Sequence, residues 1–582
     1  MASRHILWQS SETEVPSRPL AMKHLFQFIA LCGAGVCVAQ YSLQAQEPTA
    51  VIPPPSVSIS DSATKITEKP IAFTPLQGAQ QFYLMGQFDR AVEQYRAALH
   101  GNASDAASYA GMARAYLKLK KPDDAFAAAS KAVELDPFLA TAHSALGEVY
   151  IRQGKLYEAQ TQFLQPFKDH QVDPRSYLGL ERLYLASFNY KRAKVAIDEA
   201  YKLDPKDPDI GTAWIATRPL PERIKATEGF LTSPTGFYNR TQLAAMRHGL
   251  TVMKDEVEHP ERTCRQTNPP QSGELNLVPI DVHGLMPLVG LEVDVSGQKS
   301  HLAIDSGGAE IEISNEIAEK AGIQQIARTD MEGFGDDNPP EGYIGFARSI
   351  SVGNFSFANC YVRVVQEAAR GSLYKRFDGE IGLALFSAFL VDINFRHAKL
   401  KLQPLPTRPT TQNADSAQMD SQDPDAVKFQ DRYVSPDMNS WTQLFRFGSE
   451  IAIPARVNDS PPVLFTVSTD GPSNYLGLKI EHKWAAASGE GSSDKVQSGP
   501  PMTLIGIDGR LSGRWSGTAQ IFFSDHYFAA PQERTIDFTS FSEQHGTEIS
   551  GSLGLEVLHD LRITIDYRDG LIHFDNSLSV AH

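Results

Sequence analysis

The chain has 582 residues, a formal net charge of −15, 42% hydrophobic and 21% charged residues. Domains hold roughly 100–200 residues, so this length exceeds a single core, and the ordinary apolar-to-charged balance excludes a chain that is mostly disordered or membrane-embedded. The acidic balance argues against a nucleic-acid partner, because phosphate recognition concentrates Lys and Arg.

Lys23 and His24 precede an apolar run, Leu25 to Val38, interrupted only by Gln27 and followed by Leu43-Gln44-Ala45. A basic flank, a short apolar stretch and small residues make a secretory signal, so residues 1–45 are expected to be a signal peptide and the mature protein to be exported, periplasmic or extracellular. The run is shorter than the roughly 20 residues a spanning helix needs, so the membrane is expected to be met only in transit. Met1 and Met22 both stand as possible starts. Residues 46–76, with Pro53-Pro54-Pro55, show no helical or strand period and are expected to be a disordered spacer.

Between 77 and 208 the sequence repeats every 34 residues: Tyr116, Tyr150 and Tyr184 share one register, with Phe82 one period earlier, and Ala91, Ala125, Ala159 and Ala193 share another. Leu135-Asp136-Pro137 and Leu203-Asp204-Pro205 close two of the units. Small alanines let paired helices approach, aromatics fill the next layer and proline stops the second helix. This stretch resembles the tetratricopeptide repeat (TPR) family, which implies an all-α solenoid of four helix-turn-helix units with a concave surface for a protein partner. The alternative is an array that packs against the rest of the chain. Residues 209–280 are read as a helical and irregular connector, helical over Arg240 to Glu258 and then broken by the Pro-rich stretch His259 to Gly273.

Short alternating runs separated by glycine turns begin near Leu285 and predict antiparallel β structure. They fall into two regions, 281–405 and 441–578, separated by a linker at 406–440. The regions are related: Gly379-Glu-Ile-Gly-Leu-Ala-Leu-Phe386 matches Gly551-Ser-Leu-Gly-Leu-Glu-Val-Leu558, and Phe389 to Phe395 matches Leu561 to Tyr567.

In the first region an apolar strand ends in Asp305-Ser306-Gly307-Gly308, and Ile381-Gly382 follows at a distance, with Leu553-Gly554 in the matching place of the second. This pattern resembles the retropepsin/pepsin family of aspartic proteases. The resemblance implies two tandem, mainly antiparallel β lobes and an exported aspartic-type endopeptidase acting on protein or peptide substrates without metal or organic cofactor. Asp305 would activate water, Ser306 would orient its carboxylate, Gly307 would allow the loops to approach, and Ile381-Gly382 would pack behind them. In such a site two carboxylates share one proton, one serving as base and the other as acid.

The second region departs from the pattern, because Val463 to Val467 leads into Ser468-Thr469-Asp470-Gly471. Gap-free alignment sets Ser468 opposite Asp305, Thr469 opposite Ser306 and Asp470 opposite Gly307. Three accounts stand open: a two-residue shift that brings Asp470 into the site, a homodimeric site with Asp305 from each copy, or a catalytically inactive scaffold that mediates protein interactions.

No His-x-x-x-His pair with a nearby acid supports zinc hydrolysis. Asp336-Asp337 and Glu341 are read as a solvated flap-like turn, Gly489 to Ser493 as a loop, and Trp484 and Trp515 as core or groove aromatics. Cys264 and Cys360 remain after signal removal; they either pair in an oxidising compartment or serve as small buried residues.

Overall fold

A computed structural model describes residues 75–576 apart from 233–235, 263, 268–271, 282–286, 331–340, 366–377, 409–429, 481–500, 507–508 and 531. The expected signal peptide and spacer, most of the linker, Asp336-Asp337, Trp484 and the loop from Gly489 lie outside the described residues.

Eight helices form four pairs: α1 (Pro75–Leu84) with α2 (Phe88–Gly101), α3 (Ala106–Lys118) with α4 (Pro122–Leu135), α5 (Ala140–Arg152) with α6 (Leu156–Lys168), and α7 (Pro174–Ala186) with α8 (Tyr190–Leu203). Pro122 and Pro174 open their helices, where a missing N–H costs nothing, and Asp105 and Asp173 accept the free N–H groups of Ala107 and Ser176. The periodic Ala91, Ala125, Ala159 and Ala193 are buried between paired helices. Gly147 and Gly179 flank the Phe163 ring so closely that a Cβ would come within 2.6 and 2.2 Å of it, and a larger residue at either place would push α6 away.

Beyond 208 the connector is largely helical. It holds α9 (Pro208–Ala216), α10 (Leu220–Thr232) and α11 (Arg240–Glu258), the last begun by a reciprocal cap between Asn239 and Gln242. The 209–280 connector is therefore mostly an extension of the helical arm. Its end is also strand: Arg265–Thr267, Gly273–Asn276 and Val278–Ile280 enter sheets ahead of the expected boundary at 281. Segments of three or four residues carry too little alternation to be read locally, and their pairing partners lie far along the chain.

The β part holds three sheets among the described residues. A nine-stranded sheet carries Gln298–Asp305 at its centre, and a ten-stranded sheet carries Val463–Val467 in the same role. A six-stranded antiparallel sheet joins the halves, ordered Thr442–Gln443, Leu571–Asn576, Leu561–Asp566, Phe389–Asn394, Lys399–Pro404 and Gly273–Asn276. At its middle, Asp392 of the first half stands opposite Thr564 of the second and takes two hydrogen bonds from Arg562, at 2.8 and 2.5 Å. The matching segments Phe389 to Phe395 and Leu561 to Tyr567 thus pair edge to edge around a local twofold.

The helical arm sits on both halves. Arg152 donates to the Ser542 carbonyl, Thr547 donates to the Ile151 carbonyl, and Phe188 lies in the β core. At the other end Tyr361 donates to Asp255 of α11 at 2.8 Å. Cys264 and Cys360 form a disulfide, the first of the two readings open in the sequence. The antiparallel pairing of Arg265 with Ala358 brings them together, a contact between residues 96 apart in sequence.

Candidate active site

Asp305 ends a strand whose inner residues Leu302, Ala303 and Ile304 are fully buried. Gly379–Gly382 runs parallel to it, Ile381 opposite Ile304 and Gly382 opposite Asp305. The second half repeats this: Gly551–Leu553 runs parallel to Val463–Val467 with Leu553 opposite Val467, and the Ser468 N–H donates to the Leu553 carbonyl. Ile381 and Leu553 are therefore equivalent, as are Gly382 and Gly554. A Cβ on Gly382 would lie 2.3 Å from the Gly308 carbonyl carbon and one on Gly554 2.2 Å from the Ser473 oxygen, so only glycine lets the loops close over these strands.

The two loops clasp each other through four hydrogen bonds. The Ser306 hydroxyl donates to the Val467 carbonyl at 2.6 Å and accepts from the Thr469 N–H at 3.2 Å; the Thr469 hydroxyl donates to the Ile304 carbonyl at 2.7 Å and accepts from the Ser306 N–H at 2.9 Å. Both residues are fully buried. This symmetry fixes the register: Thr469 answers Ser306, Ser468 answers Asp305 and Asp470 answers Gly307. The two-residue shift is thereby overturned. Thr469 of the same chain holds the face of Ser306 that a second copy's Ser306 would take in a homodimeric site.

Asp305 and Ser468 are both partly exposed. The Gly307 N–H donates to Asp305 at 2.7 Å, and Ser468 donates to Asp470 at 2.8 Å. Burial first, and then the charge of Asp470, raise the Asp305 pKa, against the pull of the Gly308 and Gly307 N–H groups. Burial also raises Asp470, opposed by its bond from Ser468. Asp470 thus lies within the electrostatic reach of Asp305 although it occupies the place of a glycine. The arrangement brings Asp305, Ser306, Gly307, Ser468 and Asp470 together, with Ile381, Gly382, Leu553 and Gly554 behind them.

Three residues not singled out from the sequence complete it. Tyr567 donates to the Ser306 carbonyl at 2.7 Å, and Arg446 donates to the Gly307 carbonyl at 3.3 Å with its guanidinium 5.9 Å from the Tyr567 ring centroid. Glu380 shares a sheet face with Ala303 and Asp305; its pKa is raised by burial and then by Asp470, Glu312, Asp305 and Glu450. The duplicated block offered a signal for Glu380, because the acid stands where the second half has Ser552. Trp515, expected as a core or groove aromatic, lies under the Arg534 guanidinium, 5.1 Å from its ring centroid.

The helical arm carries a second polar cluster, on the face made by α1, α3, α5 and α7. Arg175 of α7 pairs with Glu148 of α5 at 3.6 Å and with Asp207 and Asp209 at 2.6 and 3.1 Å, and Lys118 of α3 pairs with Asp209 at 2.8 Å. The Arg175 guanidinium stands 5.8 Å from the Tyr83 ring of α1. Helices separated by two others can touch in this way only across a strongly concave face.

Residues 106–138 match the family model described as tetratricopeptide repeat. Among solved structures, the chain is similar to a tetratricopeptide repeat protein from Parabacteroides merdae at 16% identity, over 32% of this chain and 72% of that one, with a TM-score of 0.23. It is also similar to a thermophilic TPR protein of Thermus thermophilus at 18% identity, over 31% and 97% of the two chains, with a TM-score of 0.25. No curated protein matches the sequence. The helical part carries TPR-like repeats, which imply protein–protein interaction, and a strand-rich region follows it.

Proposed function

We propose that this is an exported aspartic-type peptidase in which Asp305 and Asp470 form an offset acid pair and the repeat array positions a protein substrate. The observation that carries the reading is the reciprocal clasp of Ser306 and Thr469, which sets one carboxylate loop against another at the junction of two duplicated β lobes.

In this reading Asp305 and Asp470 do not both ionise readily, because burial raises both carboxyls and the charge of Asp470 raises Asp305 further. The ionised member takes a proton from water, whose oxygen attacks the amide carbonyl carbon, and the protonated member gives its proton to the carbonyl oxygen. Ser468 donates to Asp470 and fixes the orientation of its carboxylate. Export is supported by the apolar run at Leu25 to Val38 and by the Cys264–Cys360 disulfide, since such bonds persist in oxidising compartments.

The test is cleavage of a peptide library by the mature protein from acidic to neutral pH. Activity abolished by both Asp305→Asn and Asp470→Asn supports the pair. Activity that survives Asp470→Asn removes Asp470 from the reading, and none from well-folded protein removes the peptidase. Ser468 favours the competing reading, an inactive scaffold, because a hydroxyl there cannot share a proton with Asp305. Pepstatin binding separates the two: a working pair binds it and a scaffold does not.

A further inference from the structure

We propose that the concave face of the repeat array is a docking groove for a peptide segment with adjacent aromatic residues, and that the chain keeps it closed with its own Phe237 and Tyr238. The inference rests on the protein-binding role of the repeats and is independent of the chemistry at Asp305.

Phe237 precedes α11, yet it is buried among the first repeats, 5% exposed. Its ring lies 5.8 Å from Tyr83 and 5.7 Å from Phe88, edge-on to both, and the Lys118 ammonium sits 4.4 Å from its centroid. That slot selects an aromatic ring: two edge-to-face neighbours and a cation over the face reward a π-system and give nothing comparable to an aliphatic chain. Tyr238 follows in a polar niche, donating to the Pro208 carbonyl at 2.9 Å with its hydroxyl 2.5 Å from that of Thr212. The backbone is seated as closely: a Cβ on Gly86, in the α1–α2 turn, would fall 1.9 Å from the Gly236 carbonyl oxygen. Gly-Phe-Tyr thus lies across the array as a bound peptide would, a glycine meeting the turn and two aromatics entering prepared sites.

The helices that carry this segment hold it weakly. α10 has no fully buried residue. α11 is fastened at its far end, where Asp255 takes bonds from Tyr361 and Arg262 and the Cys264–Cys360 disulfide follows. Phe237 and Tyr238 hold the segment to the array, Phe230 of α10 lies edge-on to Tyr238 with ring centroids 4.9 Å apart, and Lys254 of α11 pairs with Glu228 of α10 at 2.7 Å, so the segment can lift together with α10 while the far end of α11 stays pinned. Such poorly packed elements open at low free energy. The occupant that replaces them is a segment of a partner protein with two adjacent aromatics after a small residue. Its apparent affinity is set by the fraction of chains whose groove is open.

The test uses the full mature chain and a fluorescein-labelled peptide of residues 236–242, followed by anisotropy. Wild type is expected to bind weakly, Phe237→Ala at least ~10-fold more tightly because its groove is vacated, and Tyr238→Phe, which removes only the hydroxyl bonds, more tightly than wild type by a smaller factor. A peptide with alanine in place of its phenylalanine is expected to bind none of the three. If Phe237→Ala keeps its helical content and shows no gain, the contact is ordinary core and the proposal is overturned. Should Phe237→Ala fail to fold, Tyr238→Phe decides on its own: tighter binding supports a closed groove, and unchanged binding overturns it.

Discussion

Ser306 and Thr469, one from each half of the β region, each give a hydroxyl proton to the other's strand and accept the other's backbone N–H. Thr469→Val keeps the shape and removes the hydroxyl, leaving the Ile304 carbonyl and the Ser306 N–H buried without partners. Each orphaned group costs roughly 1–3 kcal/mol, so the midpoint of chemical denaturation is expected to fall accordingly. Thr469→Ser restores both bonds, and stability close to wild type is the expected result.

If the peptidase reading holds, activity follows the raised carboxyl at Asp305. Burial and Asp470 bring its pKa to about 7, so a pair that needs one shared proton loses it as pH rises through that region. Cleavage rates are expected to decline above neutrality and Ser468→Ala, which frees Asp470 from its donor, to move the profile upward. A pH–rate series on both proteins checks the direction.

Glu380 has the opposite meaning for stability from a salt-bridged acid. Burial and four neighbouring acids raise its pKa above the ordinary 4.5, so the folded state binds its proton more tightly than the unfolded state. The resulting contribution is complete below about 4.5 and is lost as pH rises through the folded value. Glu380→Gln is therefore expected to raise the thermal midpoint at pH 8 more than at pH 5. Equal shifts at both would count against the assignment.

Arg175 is buried with Glu148, Asp207 and Asp209 around it. Removing one partner of a buried ionic network typically costs about 3–5 kcal/mol, because the remaining charges stay desolvated. Arg175→Met is expected to lower the helical melting transition, followed by circular dichroism, far more than Lys131→Met, whose pair with Glu134 is exposed.

Much of the local structure was legible. The Tyr and Ala registers located the repeats, Val463–Val467 and Arg240–Glu258 stand as read, and the gap-free alignment set Thr469 opposite Ser306, where the clasp places it. What escaped the sequence depends on distant partners. The three-residue strand Arg265–Thr267 gains its meaning from Ala358, and the disulfide follows from that pairing. Asp470 stood as a candidate only through a two-residue shift, because its electrostatic reach to Asp305 from the place of a glycine arises only once the halves meet. The filling of the concave face by Phe237 was equally invisible, since nothing near Gly236 marks it as part of the repeats.

The six-stranded sheet makes the duplicated β region indivisible. Phe389–Asn394 and Leu561–Asp566 are interior neighbours in it, each covering the backbone N–H and C=O groups of the other. A chain cut after Pro404 would retain Phe389–Asn394 as a bare edge carrying Val391 and Ile393, which are buried in the intact chain. Such an edge is a template for another copy, so the isolated first half is expected to seek its own twin along the same line and re-create, between two molecules, the seam that the intact chain makes within one.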